Sequence, residues 1–238
     1  MLKKPGFVET TFLKWLTRTA QITAIEELTP QFRLVTLTGE ALKDHEFVVG
    51  QKTQVQLGGF VSRTYTPMMW DKTAGQTKFL AYLHGDGPAS RWAGALKVGD
   101  DVAMFGPRGS LDLSDVKTPA LLFGDETSFG LAHALAASGV SDVSFLFEVN
   151  SLADAGQALG ALGLAHAVLV ERLAGDMHLD GLESRMVEMI EARKPKQFVL
   201  TGKSVSIQRL SRALKARGVT TAEIKAKAYW APGKTGLD

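Results

Sequence analysis

The 238-residue chain contains no cysteine. That excludes disulfides, thiolate nucleophiles, cysteine-held iron–sulfur clusters and cysteine-ligated zinc, so any redox chemistry has to come from a bound organic cofactor. Long apolar runs are missing too. None approaches the ~20 residues that a bilayer-spanning helix needs, and no membrane span is expected. Charge of one sign is also scarce: 27 lysines and arginines face 25 aspartates and glutamates, a formal net charge of +2. So small an excess does not imply a nucleic-acid partner. The opening "MLKKPGFVETTFLKWL" is basic but lacks an apolar stretch ending in small residues, so export is not expected and the cytoplasm is the expected location. What remains is ordinary for a soluble globular protein, with 45% hydrophobic and 22% charged residues. The length fits one large domain or two small ones.

The periodicity chooses two. From about residue 20 to 110 the chain runs through short β-like segments, "AQITAIEEL", "FRLVTLTG", "TQVQLGG", "KFLAYLHG" and "DDVAMFGP", separated by Gly, Pro and Asp. Alternation and β-branched residues at this spacing point to an antiparallel barrel or sandwich, with one helix, after Gly87. Beyond "SDVKTPA" the texture changes. "ALLFGDE", "VSFLFEV", "AVLVER" and "QFVLTG" are short and almost wholly apolar, as strands buried on both faces are. Between them, one helical face carries Leu182, Met186, Met189 and Ile190, and another carries Ile207, Leu210 and Leu214 before Gly218. Strand–helix alternation of this kind predicts a doubly wound parallel sheet. Ser114, Asp115 and Pro119 mark a linker, giving domains 1–116 and 117–238.

Four stretches carry candidate chemistry. In "HGDGPAS" two glycines and a proline precede a helix, whose unpartnered N–H groups and positive end suit a phosphate. A tight turn capped by Ser90 is the plainer alternative. In "SRTYTP", Arg63 and Tyr65 share one strand face, where a guanidinium can clamp a phosphate and a ring can pack on a planar ligand. "LLFGDETSFG" has the topology of a dinucleotide site without the G-x-G-x-x-G spacing, and Asp125 reads equally as a cap. The last, "EIKAKAYWAPGKTG", ends a strand on Tyr229 and Trp230, two rings where a terminus would otherwise fray.

Taken together, "SRTYTP", "HGDGPASRWA", "VAMFGPRGS", "FGDETS" and the terminal "AYWAPGK" resemble, in order, the siderophore-interacting proteins, FAD-containing ferric-siderophore reductases built like ferredoxin reductases. The resemblance spans about residues 18 to 234. It implies an N-terminal antiparallel β-barrel that binds FAD, followed by an α/β domain that binds NADH or NADPH. The strand motif would place Arg63, Thr64, Tyr65 and Thr66 on the flavin. The helix-start motif would place His84, Gly85, Gly87, Pro88, Ala89, Ser90 and Trp92 around its diphosphate. Gly124, Asp125, Glu126 and Thr127 would contribute to the NAD(P)H site, and Tyr229 and Trp230 would approach the flavin ring.

No acid, base, nucleophile or metal ligand is required of the protein, because the flavin carries the chemistry. Ferric siderophores are often anionic, and Lys52, Lys225, Lys227 and Lys234 are the expected basic site for one, together with Arg63. Arg172, Arg209 and Arg212 are candidates for the extra phosphate of NADPH. Two departures from the family's usual pattern stand out: Thr201-Gly202-Lys203 where Ala-Gly-Glu is common, and Ser128-Phe129-Gly130 where a proline often follows the acidic turn. A flavin reductase or electron-transfer flavoprotein would share both domains, and a siderophore-binding protein without catalysis is a further alternative. A monomer is expected.

Overall fold

Residues 76–82 show why the first half forms a sheet. Thr77, Phe79 and Ala81 are buried while Gln76, Lys78, Leu80 and Tyr82 are less so, a strict period of two. The computed structural model describes residues 17–59 and 61–234; the opening residues 1–16 read above lie outside this range. Contacts divide the chain between Asp112 and Leu113, at the start of the segment read as a linker.

The first unit contains β1 (Arg18–Thr29), β2 (Phe32–Thr38), β3 (Lys52–Gly58), β4 (Val61–Tyr65), β5 (Pro67–Asp71), β6 (Gln76–Tyr82) and β7 (Asp101–Arg108). They form one seven-stranded sheet in the order β4-β3-β7-β1-β2-β6-β5, antiparallel throughout. A flat sheet of this width would hold its two edges on the order of 29 Å apart. The edges are β4 and β5, and the single residue Thr66 joins them, a link that carries the chain no more than ~7 Å from Tyr65 to Pro67. The sheet must therefore curl into a barrel-like form, as the sequence implies. β5 was not among the strands expected. Its opening proline, tolerated at the first position of an edge strand, hides it from a reading based on alternation.

Inside lie Ile22, Val35, Leu37, Val55, Phe79, Ala81, Val102 and Met104, each contributing roughly 1.5–3 kcal/mol when a large aliphatic or aromatic side chain is fully buried. The helix α1 (Pro88–Ala95) packs on this core through Ala93, with Ala89 and Trp92 at its margin.

The second unit contains β8 (Ala120–Gly124), β9 (Val143–Val149), β10 (Val168–Glu171), β11 (Gln197–Lys203) and β12 (Ile224–Trp230), with α2 (Phe129–Ala137), α3 (Leu152–Ala161), α4 (Leu179–Arg193) and α5 (Ser204–Ala216). The sheet order is β10-β9-β8-β11-β12, parallel throughout. β8 and β11 are buried along their whole length, which is why they read as unbroken apolar runs. Leu121, Phe123, Leu146, Phe198 and Leu200 meet Leu182 and Met186 of α4 and Ile207, Leu210 and Leu214 of α5. Phe147, next to Leu146, points the other way and meets Phe129 of α2 edge-on at 4.8 Å. Both faces are thus covered, and the sheet is doubly wound as expected.

The topology fixes where a ligand belongs. From β8 the chain moves outward to β9 and β10, then returns to β11 on the opposite side. Connections leave β8 and β11 in opposite directions, and in open α/β sheets the crevice lies outside the carboxyl ends of two such strands. Among the described residues no helix is long and apolar enough to cross a membrane.

Leu210 has no exposed surface, so Leu210→Ala should lower unfolding free energy by ~2–5 kcal/mol. Exposed Arg212→Ala should stay within about 0.5 kcal/mol of the parent. Urea titration followed by circular dichroism measures both.

Candidate functional site

β6 ends at Tyr82, and the chain must turn before α1 can start. Leu83 N–H donates to the Gln31 carbonyl at 2.7 Å. Ser90 then ties the loop to the helix: its Oγ accepts from His84 N–H at 3.0 Å and donates to the His84 carbonyl at 2.8 Å. Ser90 is therefore not the cap. The N-cap is Gly87, in extended geometry, with Pro88 as the first helical residue and no side-chain hydrogen bond to the helix end. A proline there pre-sets the helical turn, which starts the helix ahead of Ser90 and leaves its hydroxyl for the loop.

The loop is open on one side. Gly85 has φ +58° and, like Gly87, would direct a Cβ into empty space. His84, Gly85 and Gly87 are exposed, and the His84 ring stacks on Tyr82 with centroids 5.0 Å apart. An uncapped helix end with accessible backbone fits the negative charge of a diphosphate.

The strand motif reaches the same place. Tyr65 lies 4.6 Å from Phe79 and 6.2 Å from Trp92, centroid to centroid, and Phe79 stacks with Trp92 at 6.3 Å. The fold thus joins "SRTYTP" and "HGDGPASRWA" through one aromatic cluster. Burial pushes the Tyr65 phenol up, against the Arg63 charge, so at neutral pH it is a hydroxyl donor. Arg63 donates to the Ser62 carbonyl at 2.7 Å and is half-buried, Thr64 is exposed, and Thr66 is the link between sheet edges. A donor phenol, a guanidinium and an uncapped helix end make a set that fits FAD.

In the second unit the switch point is built around Asp125. Its carboxylate has no exposed surface. It accepts from Thr127 N–H at 2.9 Å, from the Thr127 hydroxyl, and from Trp230 Nε1 at 2.6 Å. It is the cap of a short turn, Glu126–Ser128, that leads into α2. Gly202 passes so close, with φ +95°, that any Cβ would strike this carboxylate. Gly124 is likewise closed off, by Ser128. Burial, with Glu126 adding, pushes the Asp125 carboxyl up to about 6, against the hydrogen bonds from Thr127 and Trp230.

Glu126 is buried and pairs with Arg172 at 2.8 Å, while accepting from Asn150 N–H at 2.6 Å. Arg172 also donates to Asn150 Oδ1 at 2.6 Å. The Trp230 ring has Arg172 at 5.8 Å and Lys203 at 5.7 Å from its centroid, and Lys203 pairs with Asp176. Tyr229, the preceding residue, is half-buried on β12.

Several expectations change here. Arg172 is bound by Glu126, and Arg209 by Glu183 at 2.7 Å and Asp180 at 2.8 Å, so neither stands ready for a 2′-phosphate; Arg212 is exposed and bonds the Gln208 carbonyl. The four lysines have unlike surroundings. Lys52 is buried on β3, in the first unit. Lys225 pairs with Asp115 at 2.6 Å, Lys227 is half-buried, and Lys234 is exposed beyond β12. Glu148, His178 and Ser206, all buried at the same end of the second sheet, were not foreseen. The signal was present, since an acid inside "VSFLFEV" has to find partners if that strand is buried.

An Asp whose folded pKa lies above its unfolded value destabilises the fold when ionised, and the penalty disappears as pH falls through about 6 toward 4. Relative to Asp125→Asn, the parent should therefore gain up to ~3 kcal/mol of stability between pH 7 and 4. Urea midpoints at both pH values for both proteins test this; parallel shifts would refute it.

Residues 51–111 match the family model of the siderophore-interacting FAD-binding domain. The NADPH-dependent ferric-chelate reductase of Escherichia coli (strain K12) is 27% identical over 172 residues, 71% of this chain and 66% of that protein. The siderophore-interacting protein SipS from Aeromonas hydrophila aligns with a TM-score of 0.75 at 23% identity, covering 92% of this chain and 93% of that one. A ferredoxin reductase of carbazole 1,9a-dioxygenase aligns at 0.69 and 19% identity over 89% of this chain and 68% of the other. The fold is therefore that of siderophore-interacting proteins and ferredoxin reductases, and the resemblance read from the sequence holds, with both flavin motifs inside the stretch that matches the siderophore-interacting FAD-binding domain.

Proposed function

We propose that the protein is a cytoplasmic flavoenzyme that moves electrons from NADH or NADPH, through FAD, to the iron of a ferric siderophore, releasing Fe(II). The observation that carries this reading is that Arg63–Thr66 and His84–Trp92 fall within the family match and meet in one aromatic cluster. The E. coli relative is named for NADPH-dependent reduction of ferric chelates. That supports the same reaction class here, with NADPH as the first donor to try.

Each part of the chain has a task in this scheme. The uncapped start of α1 holds the diphosphate by backbone N–H groups, and the exposed Gly85 and Gly87 let the anion approach. Arg63 adds a fixed positive charge, and the Tyr65 hydroxyl donates to the cofactor's polar edge. These residues would hold FAD, and a flavin there would supply the conversion of a two-electron donor into single-electron steps, which no side chain of this cysteine-free chain supplies. The Gly124–Thr127 turn lies at the end of the parallel sheet where dinucleotides bind. Lys52, Lys225, Lys227 and Lys234 remain the candidates for attracting an anionic chelate. Lys227 and Lys234 are the stronger two, because Lys225 already has Asp115 and Lys52 is buried. Iron leaves on reduction because hard oxygen ligands that suit Fe(III) hold Fe(II) far less tightly.

The likeness to a ferredoxin reductase favours one second reading, a flavin reductase or electron-transfer flavoprotein. An anaerobic visible spectrum separates the two. NADH or NADPH should bleach a flavin band, and a ferric catecholate with a ferrous-specific chelator should restore it as the ferrous complex forms. Faster return with free flavin or a protein acceptor would favour the second reading, and no flavin band after FAD supplementation would sink both. Lys227→Ala with Lys234→Ala should raise KM for an anionic ferric chelate severalfold with FAD content unchanged, since each solvent-screened charge contributes modestly. An unchanged KM would remove these lysines from the acceptor site.

A further inference from the structure

A second buried polar cluster lies at the carboxyl end of the parallel strands, beside the Asp125 network. Glu148, near the end of β9, has no exposed surface, Ser206 in the first turn of α5 has none, and His178 has 4%. Glu148 accepts from the Ser206 hydroxyl at 2.8 and 2.9 Å. His178 Nε2 lies 2.7 Å from the Glu148 carboxylate, and His178 Nδ1 lies 3.2 Å from Leu173 N–H. The two contacts agree on one tautomer. A carboxylate can only accept, so Nε2 carries the proton; an amide N–H can only donate, so Nδ1 does not.

This arrangement links three segments that otherwise have no covalent reason to keep register. The loop from Leu173 to His178 is held by the Leu173 amide at one end and the His178 ring at the other. Within it, Gly175 has φ +62° and Asp176 φ +59°, a left-handed pair that an aspartate keeps only where its surroundings enforce it. Asp176 carries the carboxylate that pairs with Lys203, and Lys203 is the N-cap position of α5 and stands over the Trp230 ring. Glu148 thus reaches Lys203 by two routes, through His178 and the loop, and through Ser206 and the helix start. Arg172, at the head of the same loop, donates to the Glu148 carbonyl at 3.1 Å.

A buried, ionisable carboxylate is a poor choice for stability alone, because well-packed apolar residues in its place are often neutral or stabilising. Its location at the carboxyl end of the parallel strands assigns it another task. We propose that Glu148 and His178 are positioning residues for dinucleotide binding: Glu148 selects the Nε2–H tautomer of His178, and that tautomer hangs the 173–178 loop so that Asp176 sets Lys203 at the mouth of the switch-point crevice. Neither residue touches the ligand. The inference rests on the reading that NADH or NADPH binds at this end of the sheet.

The test uses FAD-loaded, full-length protein and titration calorimetry with NADP+ and NAD+, at a temperature where every variant is folded. His178→Ala should raise the Kd about tenfold with FAD content unchanged. His178→Gln should restore it to within about threefold, because a side-chain amide offers one donor and one acceptor as the neutral ring does. Long-range 15N–1H NMR of the parent should show the proton on Nε2, and in Glu148→Gln a second population with the proton on Nδ1. An unchanged Kd in His178→Ala, failure of His178→Gln to rescue, or a parent ring protonated on Nδ1 would overturn the proposal while leaving dinucleotide binding intact. Failure of the parent and every variant to bind either dinucleotide would instead bring down the reading on which it rests.

Discussion

A carboxylate with no exposed surface has to be given hydrogen bonds by whatever the chain places beside it, and at the end of β8 that requirement organises the second unit. Asp125 takes donors from its own turn through Thr127 and from the last strand through Trp230, and it forces residue 202 to be a glycine. One short side chain thereby fixes the entry to α2, the close passage of β11 and the position of the terminal indole. Its neighbours follow the same logic. Glu126 is buried against Arg172, and Thr201 Oγ1 bridges to the Phe123 carbonyl at 3.1 Å and to Ser128 Oγ at 2.9 Å. Hydrogen-bonded networks of this kind rigidify the segments they join, and this one lies where an open α/β sheet binds its ligands.

The first unit solves a different problem with different means. A sheet whose edges are joined through one residue cannot lie flat, and the curl carries β4 to where its aromatic residue meets α1. Tyr65, Phe79 and Trp92 then pack as one group, large apolar rings that hold two distant motifs in a fixed relation. Charge plays little part in that. The helix end is kept free of side-chain caps, so the positive end of the dipole remains available to an anion. The core therefore supplies rigidity, and the backbone N–H groups at the helix start stay unclaimed by side chains.

Glu148, His178 and Ser206 are buried polar residues that no local pattern announces. Glu148 sits in a run that reads as a buried strand, and His178 and Ser206 sit where loops and helix starts usually show polar residues. None belongs to a motif. Their convergence comes from the crossover connections: parallel strands bring residues some 30 and 58 positions apart in the chain to one end of the sheet, and no local pattern records that. The same holds for the arginines. Arg172 and Arg209 look free in sequence, yet in the fold each faces carboxylates from another segment.

The sequence by itself determined the two-part architecture, because periods of two and of unbroken apolar runs reflect which faces are buried. It also marked the two stretches that the family match contains, since glycine, proline and a charged strand residue have backbone and electrostatic meaning wherever they occur. The strand content of the second unit and the amphipathic faces of α4 and α5 were legible for the same reason. Tertiary structure alone decided that Gly87 rather than Ser90 caps α1, that β5 forms an edge of the first sheet, and that Lys225 has Asp115 for a partner. It alone brought Trp230 to Asp125, 105 positions away. Local propensity is written in neighbouring residues, whereas the pairing of buried charges is settled only when the sheet order has set distant segments side by side.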